Sequence, residues 1–272
     1  MRHVAVVWPL LACSLPDWTK CGTETSLMPR ARTGPLPLPD LQTGRKDEAG
    51  DFALITGFGP FPRVPCNPSA EIARIVAQDR RWRRLGWRIE AGIFPTRYGI
   101  VAETIARLAA QTPPRFVVML GVAARARRLR VEMVAQNRVS AIHRDAGMAR
   151  PGAAVIAPAA GAIRRGRHAG PVLVRALRKA GVPAEPSFSA GRYVCNFAYW
   201  HMLGAFPAPT EIVFVHVPMP QAPWRRRDPR PDRARMAHAL TWLVAAMIAR
   251  ARLSQRAPAP GGAGRIPPRS SW

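Results

Sequence analysis

Short apolar segments alternate with amphipathic segments across residues 52–253, and this alternation restricts the fold more than any other feature of the sequence. The apolar segments predict strands at Phe52–Phe58, Ile89–Phe94, Arg115–Leu120, Leu129–Ala135 and Ile212–Val217. Apolar residues at helical spacing predict helices from about Pro68 and over Tyr98–Gln111, Pro171–Ala180, Tyr193–Phe206 and Arg233–Leu253. Strands and helices that alternate in this way favour an α/β sheet covered by helices on both faces.

The two ends of the chain differ in composition from this central region. A Pro-rich run at residues 35–39 is typical of a linker, and residues 1–50 are predicted to be a disordered extension or the product of a start codon chosen too far upstream. Residues 1–13 also resemble a very short lipoprotein signal, so export is left open as an alternative. Residues 254–272 are rich in Pro, Gly and Arg and are predicted to be a disordered tail. The predicted folded domain is therefore 51–253.

The chain is strongly basic, with 272 residues and a formal net charge of +25. All but three of its 41 basic residues are Arg, an excess that a coding bias explains. The positive electrostatic field of such a chain still attracts polyanions, so a basic nucleic-acid-associated protein is kept as an alternative. No specific nucleic-acid site is predicted, because the basic residues are scattered and are not interleaved with aromatic residues.

Two further classes of protein are disfavoured by simple patterns. The chain has no uninterrupted run of 18 or more apolar residues, which predicts no transmembrane helix, no membrane partner and a cytoplasmic location. Its four Cys residues lack the spacing of zinc ligands, so no metal site is predicted.

Cys195 is a candidate nucleophile because of where it lies on a predicted helix. It follows a turn at Gly191 and occupies the first turn of the helix. Backbone N–H groups and the helix dipole stabilise a thiolate there, and the thiolate is the nucleophilic form. The alternative is a buried structural Cys, which is the commoner case.

Two further residues complete a candidate triad. His216 lies at the end of the strand 212–217, and functional sites in open α/β sheets gather at the carboxyl ends of strands, where a His can activate a Cys. Glu132 lies inside an apolar run and needs a partner, because burying a lone carboxylate is costly. Glu132 could orient the imidazole. The alternatives are a hydrogen-bonded core His and an ion pair between Glu132 and an Arg.

The loop Thr56–Pro62 follows the first predicted strand and contains two Gly residues. It lacks the Gly spacing and the Lys of a phosphate-binding loop. Phe58 and Phe61 could instead line a small apolar pocket. Ordinary core packing of the two rings is the alternative.

Taken together, four segments resemble the pyroglutamyl peptidase I (pyrrolidone-carboxylate peptidase) family of cysteine peptidases. They occur in order along the chain, and they are Leu54–Phe61 with Asn67-Pro68-Ser69, Glu132–Asn137, Ser189–Asn196 and Val215–Pro218. The segment around Cys195 is the most specific of the four. The resemblance covers about residues 52–250 and marks this chain as a divergent member.

The resemblance implies a three-layer α/β/α sandwich with a mixed, mostly parallel central sheet, and an enzyme that removes N-terminal pyroglutamate from small peptides. It implies Cys195 as nucleophile, His216 as general base and acid, and Glu132 as the residue that orients the imidazole. No cofactor is implied, and a homo-oligomer is left open. The residues implied to bind substrate are Phe58, Phe61, Asn67 and Tyr193.

The chain departs from the family pattern at two positions. Val122 stands where the family usually has Gln, and Ile142 stands where the family has an Arg that helps the oxyanion site. Arg144 or Arg125 could replace that Arg in space. The departures leave open an alternative function, a divergent member with weak, altered or no peptidase activity.

Overall fold

The computed structural model describes residues 51–62, 64–221 and 228–256 of the chain. The strands in this part are β1 (Asp51–Phe58), β2 (Trp87–Phe94), β3 (Phe116–Val122), β4 (Leu129–Glu132), β5 (Val134–Gln136), β6 (Ile163–Arg165), β7 (Ala184–Ser187) and β8 (Glu211–Val217). The helices are α1 (Pro68–Ala77), α2 (Arg81–Arg84), α3 (Tyr98–Ala109), α4 (Gly170–Lys179), α5 (Val194–Ala205) and α6 (Arg233–Arg256). The predictions made for residues 1–50 and 257–272 lie outside the described residues.

Six strands form the central sheet, in the order β2-β1-β3-β8-β4-β7. Strand β4 runs antiparallel to β8, and every other neighbouring pair in this sheet is parallel. Strands β5 and β6 form a separate antiparallel pair. The prediction of a mixed, mostly parallel sheet is confirmed.

Side chains on the central strands alternate between two cores, one on each face of the sheet. On β8, Val213 and Val215 pack in the core formed with α1, α4 and α6, whereas Ile212 and Phe214 pack in the core formed with α3 and α5. Because both faces are covered, β8 appears in the sequence as a continuous apolar run. The same alternation places His216, two residues after Phe214, on the face covered by α5.

Local signals correctly predicted several helix ends. The side chain of Asn67 caps α1 by accepting a hydrogen bond from the backbone N–H of Ser69 at 3.1 Å, and Pro68 is the first helical residue. Gly181 follows the end of α4 with a φ of 79°, a left-handed conformation that favours Gly. Helix α6 continues to Arg256, beyond the predicted end at Leu253.

One predicted strand is wrong in an informative way. The segment Leu129–Ala135 is not one strand, because it divides at Met133 into β4 in the central sheet and β5 in the small sheet. Strands β6 and β7 were not predicted, since β6 contains two Arg residues and β7 is an edge strand that contains Pro186. No helix in the described part of the chain is long and apolar enough to cross a membrane.

Candidate active site

Cys195 is the second residue of α5, so it lies at the N-terminal end of this helix. Gly191, with a φ of 78°, makes the turn before the helix. The first N–H groups of a helix have no partner within the helix, so they can donate hydrogen bonds to an anion near Cys195. Cys195 is partly exposed and is a free thiol, so it is accessible to a substrate.

His216 connects Cys195 to a buried carboxylate. Its Nδ1 donates a hydrogen bond to Oε1 of Glu132 at 2.7 Å. Cys195 also acts on this ring from α5, and the bond to Glu132 leaves Nε2 to face its side chain. The Cys, His and Glu side chains therefore form one series, in which His216 lies between Cys195 and Glu132. The partner of Glu132 is His216, so the alternative of an Arg ion pair is not observed.

The register of the sheet explains how these residues meet. In the antiparallel pair formed by β4 and β8, Glu132 lies opposite Phe214. His216 lies two residues further along the same face of β8, so Glu132 and His216 are diagonal neighbours within reach of their side chains. The ring of Phe214 packs beside that of His216, with a centroid separation of 4.7 Å.

Burial and hydrogen bonding act in opposite directions on His216. Burial alone would lower the pKa of His216, because it penalises the charged ring. The hydrogen bonds to Cys195 and Glu132, and the negative charges of those groups, outweigh burial and raise the pKa to about 9. The ring therefore carries a proton at neutral pH, which suits an imidazolium paired with a thiolate. Glu132 is 0% exposed, so its carboxylate acts on the ring without screening by water.

Aromatic side chains form a wall beside Cys195. Phe61 is half-buried, and its ring centroid lies 6.0 Å from that of Tyr193, the residue before α5. The hydroxyl of Tyr193 donates to the carbonyl oxygen of Arg144 at 2.9 Å, which fixes this ring against the loop between β5 and β6. Phe58 is 1% exposed, and its ring packs against Phe94. The structure thus brings Phe61 and Tyr193 together, whereas Phe58 belongs to the core.

Asn67 holds the loop that carries Phe61. Its Nδ2 donates to the carbonyl oxygen of Gly59 at 2.9 Å, while its Oδ1 accepts from the hydroxyl of Ser69 at 2.8 Å. The hydroxyl of Thr96 donates to the same Gly59 oxygen at 3.0 Å. These contacts stabilise the loop, and the assignment of Asn67 to substrate binding stays a prediction.

The family model for pyroglutamyl peptidase matches residues 52–249 of this chain. The chain belongs to the pyroglutamyl peptidase family. A pyrrolidone-carboxylate peptidase of Cupriavidus pinatubonensis is 32% identical over 169 residues, which cover 61% of this chain and 77% of the relative. That of Mycobacterium tuberculosis is also 32% identical, over 182 residues that cover 61% of this chain and 76% of the relative. The predicted membership is confirmed.

Solved structures with related folds extend this similarity. The pyrrolidone carboxyl peptidase from Thermus thermophilus matches with a TM-score of 0.63 and 26% identity, over 71% of this chain and 98% of that protein. The enzyme from Thermococcus litoralis matches in fold with a TM-score of 0.66 and 22% identity, over 75% of this chain and 96% of that protein. The predicted α/β/α fold is confirmed by this likeness.

The positions at which the chain departs from the family pattern lie in different environments. Ile142 is 76% exposed, on the loop between β5 and β6. Arg144, a suggested replacement for the family Arg, donates from Nη1 to the carbonyl oxygen of Met148 at 2.7 Å within the same loop. Val122 is the last residue of β3 and lies opposite Val217. Arg125, the other suggested replacement, is exposed.

Asn196 and Asn137 support the site in ways that the sequence alone did not predict. The side chain of Asn196 accepts from the N–H of Gln136 and donates to the carbonyl oxygens of Gln136 and Arg138, with all three distances at 2.8 Å. It therefore ties β5 to α5 beside the nucleophile. Asn137 accepts from the N–H of Ala157 at 2.8 Å and donates to the carbonyl oxygen of that residue. Both Asn residues fall in the family segments, which is the one signal that could have identified them.

The site has the groups for acyl transfer. Among residues 51–62, 64–221 and 228–256, no group of three or more His, Cys, Asp or Glu side chains could hold a metal ion. A thiol, an imidazole and a carboxylate in series can provide a nucleophile, a proton carrier and a group that orients it.

Proposed function

We propose that this chain is a cysteine peptidase that removes an N-terminal pyroglutamyl residue from peptides. The observation that carries the proposal is the series Cys195–His216–Glu132 at the start of α5, in which Glu132 is hydrogen-bonded to the ring that Cys195 acts on. The family to which the chain belongs supplies the substrate class. Relatives named pyrrolidone-carboxylate peptidase support it.

The first half of the reaction is acylation of Cys195. The thiolate attacks the carbonyl carbon that joins the pyroglutamyl residue to the next residue. The carbon–nitrogen bond then breaks, and His216 gives its Nε2 proton to the leaving amine nitrogen. A peptide with a free N-terminus departs, and the pyroglutamyl group stays on sulfur as a thioester.

The second half is hydrolysis of the thioester. His216, now neutral, takes a proton from water as the water oxygen attacks the thioester carbonyl. The carbon–sulfur bond breaks, which releases pyroglutamate and restores the thiolate and the imidazolium. Glu132 keeps Nδ1 protonated throughout, so the same ring nitrogen always faces Cys195.

The developing oxyanion is stabilised by backbone N–H groups in the first turn of α5. Losing one such donor costs about 2.7–4 kcal/mol of transition-state stabilisation in a well-studied case. The exposed Ile142 provides no donor, so the backbone groups bear more of this role here than in members that have Arg at this position.

The aromatic wall suits a small lactam ring. Phe61 and Tyr193 provide apolar faces for the ring methylenes, and pockets of this kind add a few polar groups for orientation. The lactam has no charge, so it does not need a charged partner in the pocket.

The test is hydrolysis of pyroglutamyl-aminomethylcoumarin by the purified full chain under reducing conditions. The matched control substrates are the prolyl amide, which lacks the ring carbonyl, and the glutamyl amide, which has the open chain. We expect release of the fluorophore from the pyroglutamyl amide alone. Release from none of the three by folded protein with a reactive Cys195 would contradict the proposal.

A divergent family member with altered or no peptidase activity is the second candidate. The exposed Ile142 at the position of the family Arg favours it. A panel of other N-acyl amides, assayed beside the pyroglutamyl amide, separates altered specificity from lost activity. The Ile142→Arg variant should raise kcat if the absent guanidinium limits the reaction.

A further inference from the structure

The backbone carbonyl of Glu132 accepts hydrogen bonds from two side chains. The hydroxyl of Tyr199 donates to this oxygen at 3.1 Å. Nε2 of His168 lies 3.1 Å from the same oxygen, which requires the tautomer with hydrogen on Nε2. The peptide group that carries the orienting carboxylate is therefore held from two directions.

This double contact lies where the chain passes from the central sheet to the small sheet. Glu132 is the last residue of β4, and after Met133 the chain enters β5 in the separate small sheet. Glu132 has register partners on both neighbouring strands, Ser187 on β7 and Phe214 on β8. The hydrogen bonds from Tyr199 and His168 add to this pairing and act on the peptide group that carries the carboxylate.

Tyr199 connects this break to the helix of the nucleophile. It lies four residues after Cys195 on α5, so the two side chains share one face of the helix. Tyr199 is 0% exposed. Burial is the largest cause of the shift that raises the pKa of Tyr199 well above its ordinary value, so the hydroxyl keeps its proton and donates. One rigid helix therefore carries the nucleophile and also holds the backbone of Glu132.

We propose that Tyr199 and His168 are positioning residues that hold Glu132 where its carboxylate can orient the His216 ring. They act through Glu132 and take no part in the chemical steps. The inference rests on the proposed function only for the activity measurement, since the pairing of Cys195 with His216 can be followed without a substrate.

The effect on kinetics should fall on kcat. A misplacement of about 1 Å in a catalytic group costs up to roughly 100-fold in rate. Tyr199→Phe removes one of two hydrogen bonds, so we expect kcat to fall about tenfold, within that limit. KM should be unchanged, because the aromatic wall of Phe61 and Tyr193 is not altered.

The pH profile provides a measurement that a purely structural role would not change. Two titratable side chains face His216, Glu132 from β4 and Cys195 from α5. A carboxylate that moves away stabilises the imidazolium less, so His216 loses its proton at lower pH. In the variants the basic limb of the kcat/KM profile should therefore move to lower pH.

Three variants and a matched control make the test specific. Tyr199→Phe and His168→Leu each remove one donor, whereas His168→Gln retains an N–H donor and should restore kcat and the pH profile. The control is Thr210→Val, which removes a buried hydroxyl that donates to the carbonyl oxygen of Pro114 at 2.9 Å. Thr210 lies six residues before His216, about 20 Å away along an extended strand.

The pH dependence of Cys195 alkylation by iodoacetamide is measured on the same proteins. We expect the upper inflection in the alkylation rate to move to lower pH in Tyr199→Phe and His168→Leu. In His168→Gln and Thr210→Val this inflection should stay in place. A wild-type inflection in both donor-removal variants would overturn the inference. If Tyr199→Phe does not fold, the comparison of His168→Leu with His168→Gln decides the test. A shifted inflection in a protein that does not hydrolyse the pyroglutamyl amide would sustain the inference while rejecting the proposed function.

Discussion

The position that a Cβ atom on Gly121 would occupy lies 3.0 Å from Sγ of Cys195. The same position lies 2.7 Å from Cζ of Phe214. Gly121 is also the register partner of His216 on the neighbouring strand. Strand β3 can therefore pass beneath the nucleophile because it has no side chain at this point.

Gly121→Ala should displace Cys195 or Phe214 and so disturb the site. Overpacking of this kind costs about 1–3 kcal/mol of stability, and the displaced sulfur should lower kcat by about 100-fold. Thermal unfolding and steady-state kinetics measure the two effects.

Gly99→Ala is the matched control for that variant. Gly99 lies near the start of α3 and has no atom within 4 Å of the added Cβ position. Ala is the better helix former by about 0.5–1 kcal/mol, so this variant should be as stable as the wild type or more so. Full activity in Gly121→Ala would show that the site tolerates a larger residue.

Cys195→Ala should abolish hydrolysis without loss of fold. The thiolate is the nucleophile of the proposed mechanism, and a small side chain at a partly exposed position leaves the packing of α5 intact. Circular dichroism and the melting temperature check the fold, and mass spectrometry after iodoacetamide treatment locates the label. We expect the label on the peptide that contains Cys195 in the wild type. Residual turnover above background would remove Cys195 from the mechanism.

Glu132→Gln should lower kcat and should move the basic limb of the kcat/KM profile to lower pH. The carboxylate stabilises the imidazolium, so its removal lowers the pKa of His216 from about 9, and activity is lost at lower pH as the proton leaves. A comparable change in a serine protease costs about 10⁴ in kcat, and we expect at least about 100-fold here.

Glu185→Gln serves as the control for loss of a carboxylate. Glu185 forms an ion pair with Arg130 at 3.2 Å on partly exposed strands, and such pairs contribute about 0–1 kcal/mol. Its pH profile should match that of the wild type. An unchanged basic limb in Glu132→Gln would separate Glu132 from the titration of His216.

Phe61→Ala should raise KM by about tenfold and leave kcat within about twofold. The ring contacts substrate and transition state alike, and loss of such uniform binding appears in KM. Its half-buried ring packs on Tyr193 at the surface, so the melting temperature should fall only slightly.

Phe58→Ala provides the contrast, because Phe58 is 1% exposed and should lose about 3–5 kcal/mol of stability. Equal stability losses in Phe58→Ala and Phe61→Ala, with unchanged KM, would place Phe61 in the core.

Much of the fold follows from local patterns. The apolar runs of β1, β3 and β8, the Asn67-Pro68 start of α1 and the Gly181 stop of α4 were predicted close to their observed positions. The position of Cys195 at the start of a helix was predicted in the same way. Each of these signals depends on residues within a few positions of one another, so the chain need not be folded for them to be recognised.

The four family segments also predicted which side chains belong to the candidate site. It did not indicate how they meet. The break at Met133, the register that makes Glu132 a diagonal neighbour of His216, and the contact of Tyr199 with the Glu132 carbonyl depend on residues far apart in the chain.

The amino-acid sequence by itself therefore determined the order of the elements, their apolar faces and the chemical groups available to the site. The tertiary structure alone decided that β4 runs against β8, that Gly121 leaves room for Cys195, and that α5 holds Glu132. The physical reason is that strand register and helix docking are set by the packing of both cores together, and no local pattern encodes that packing.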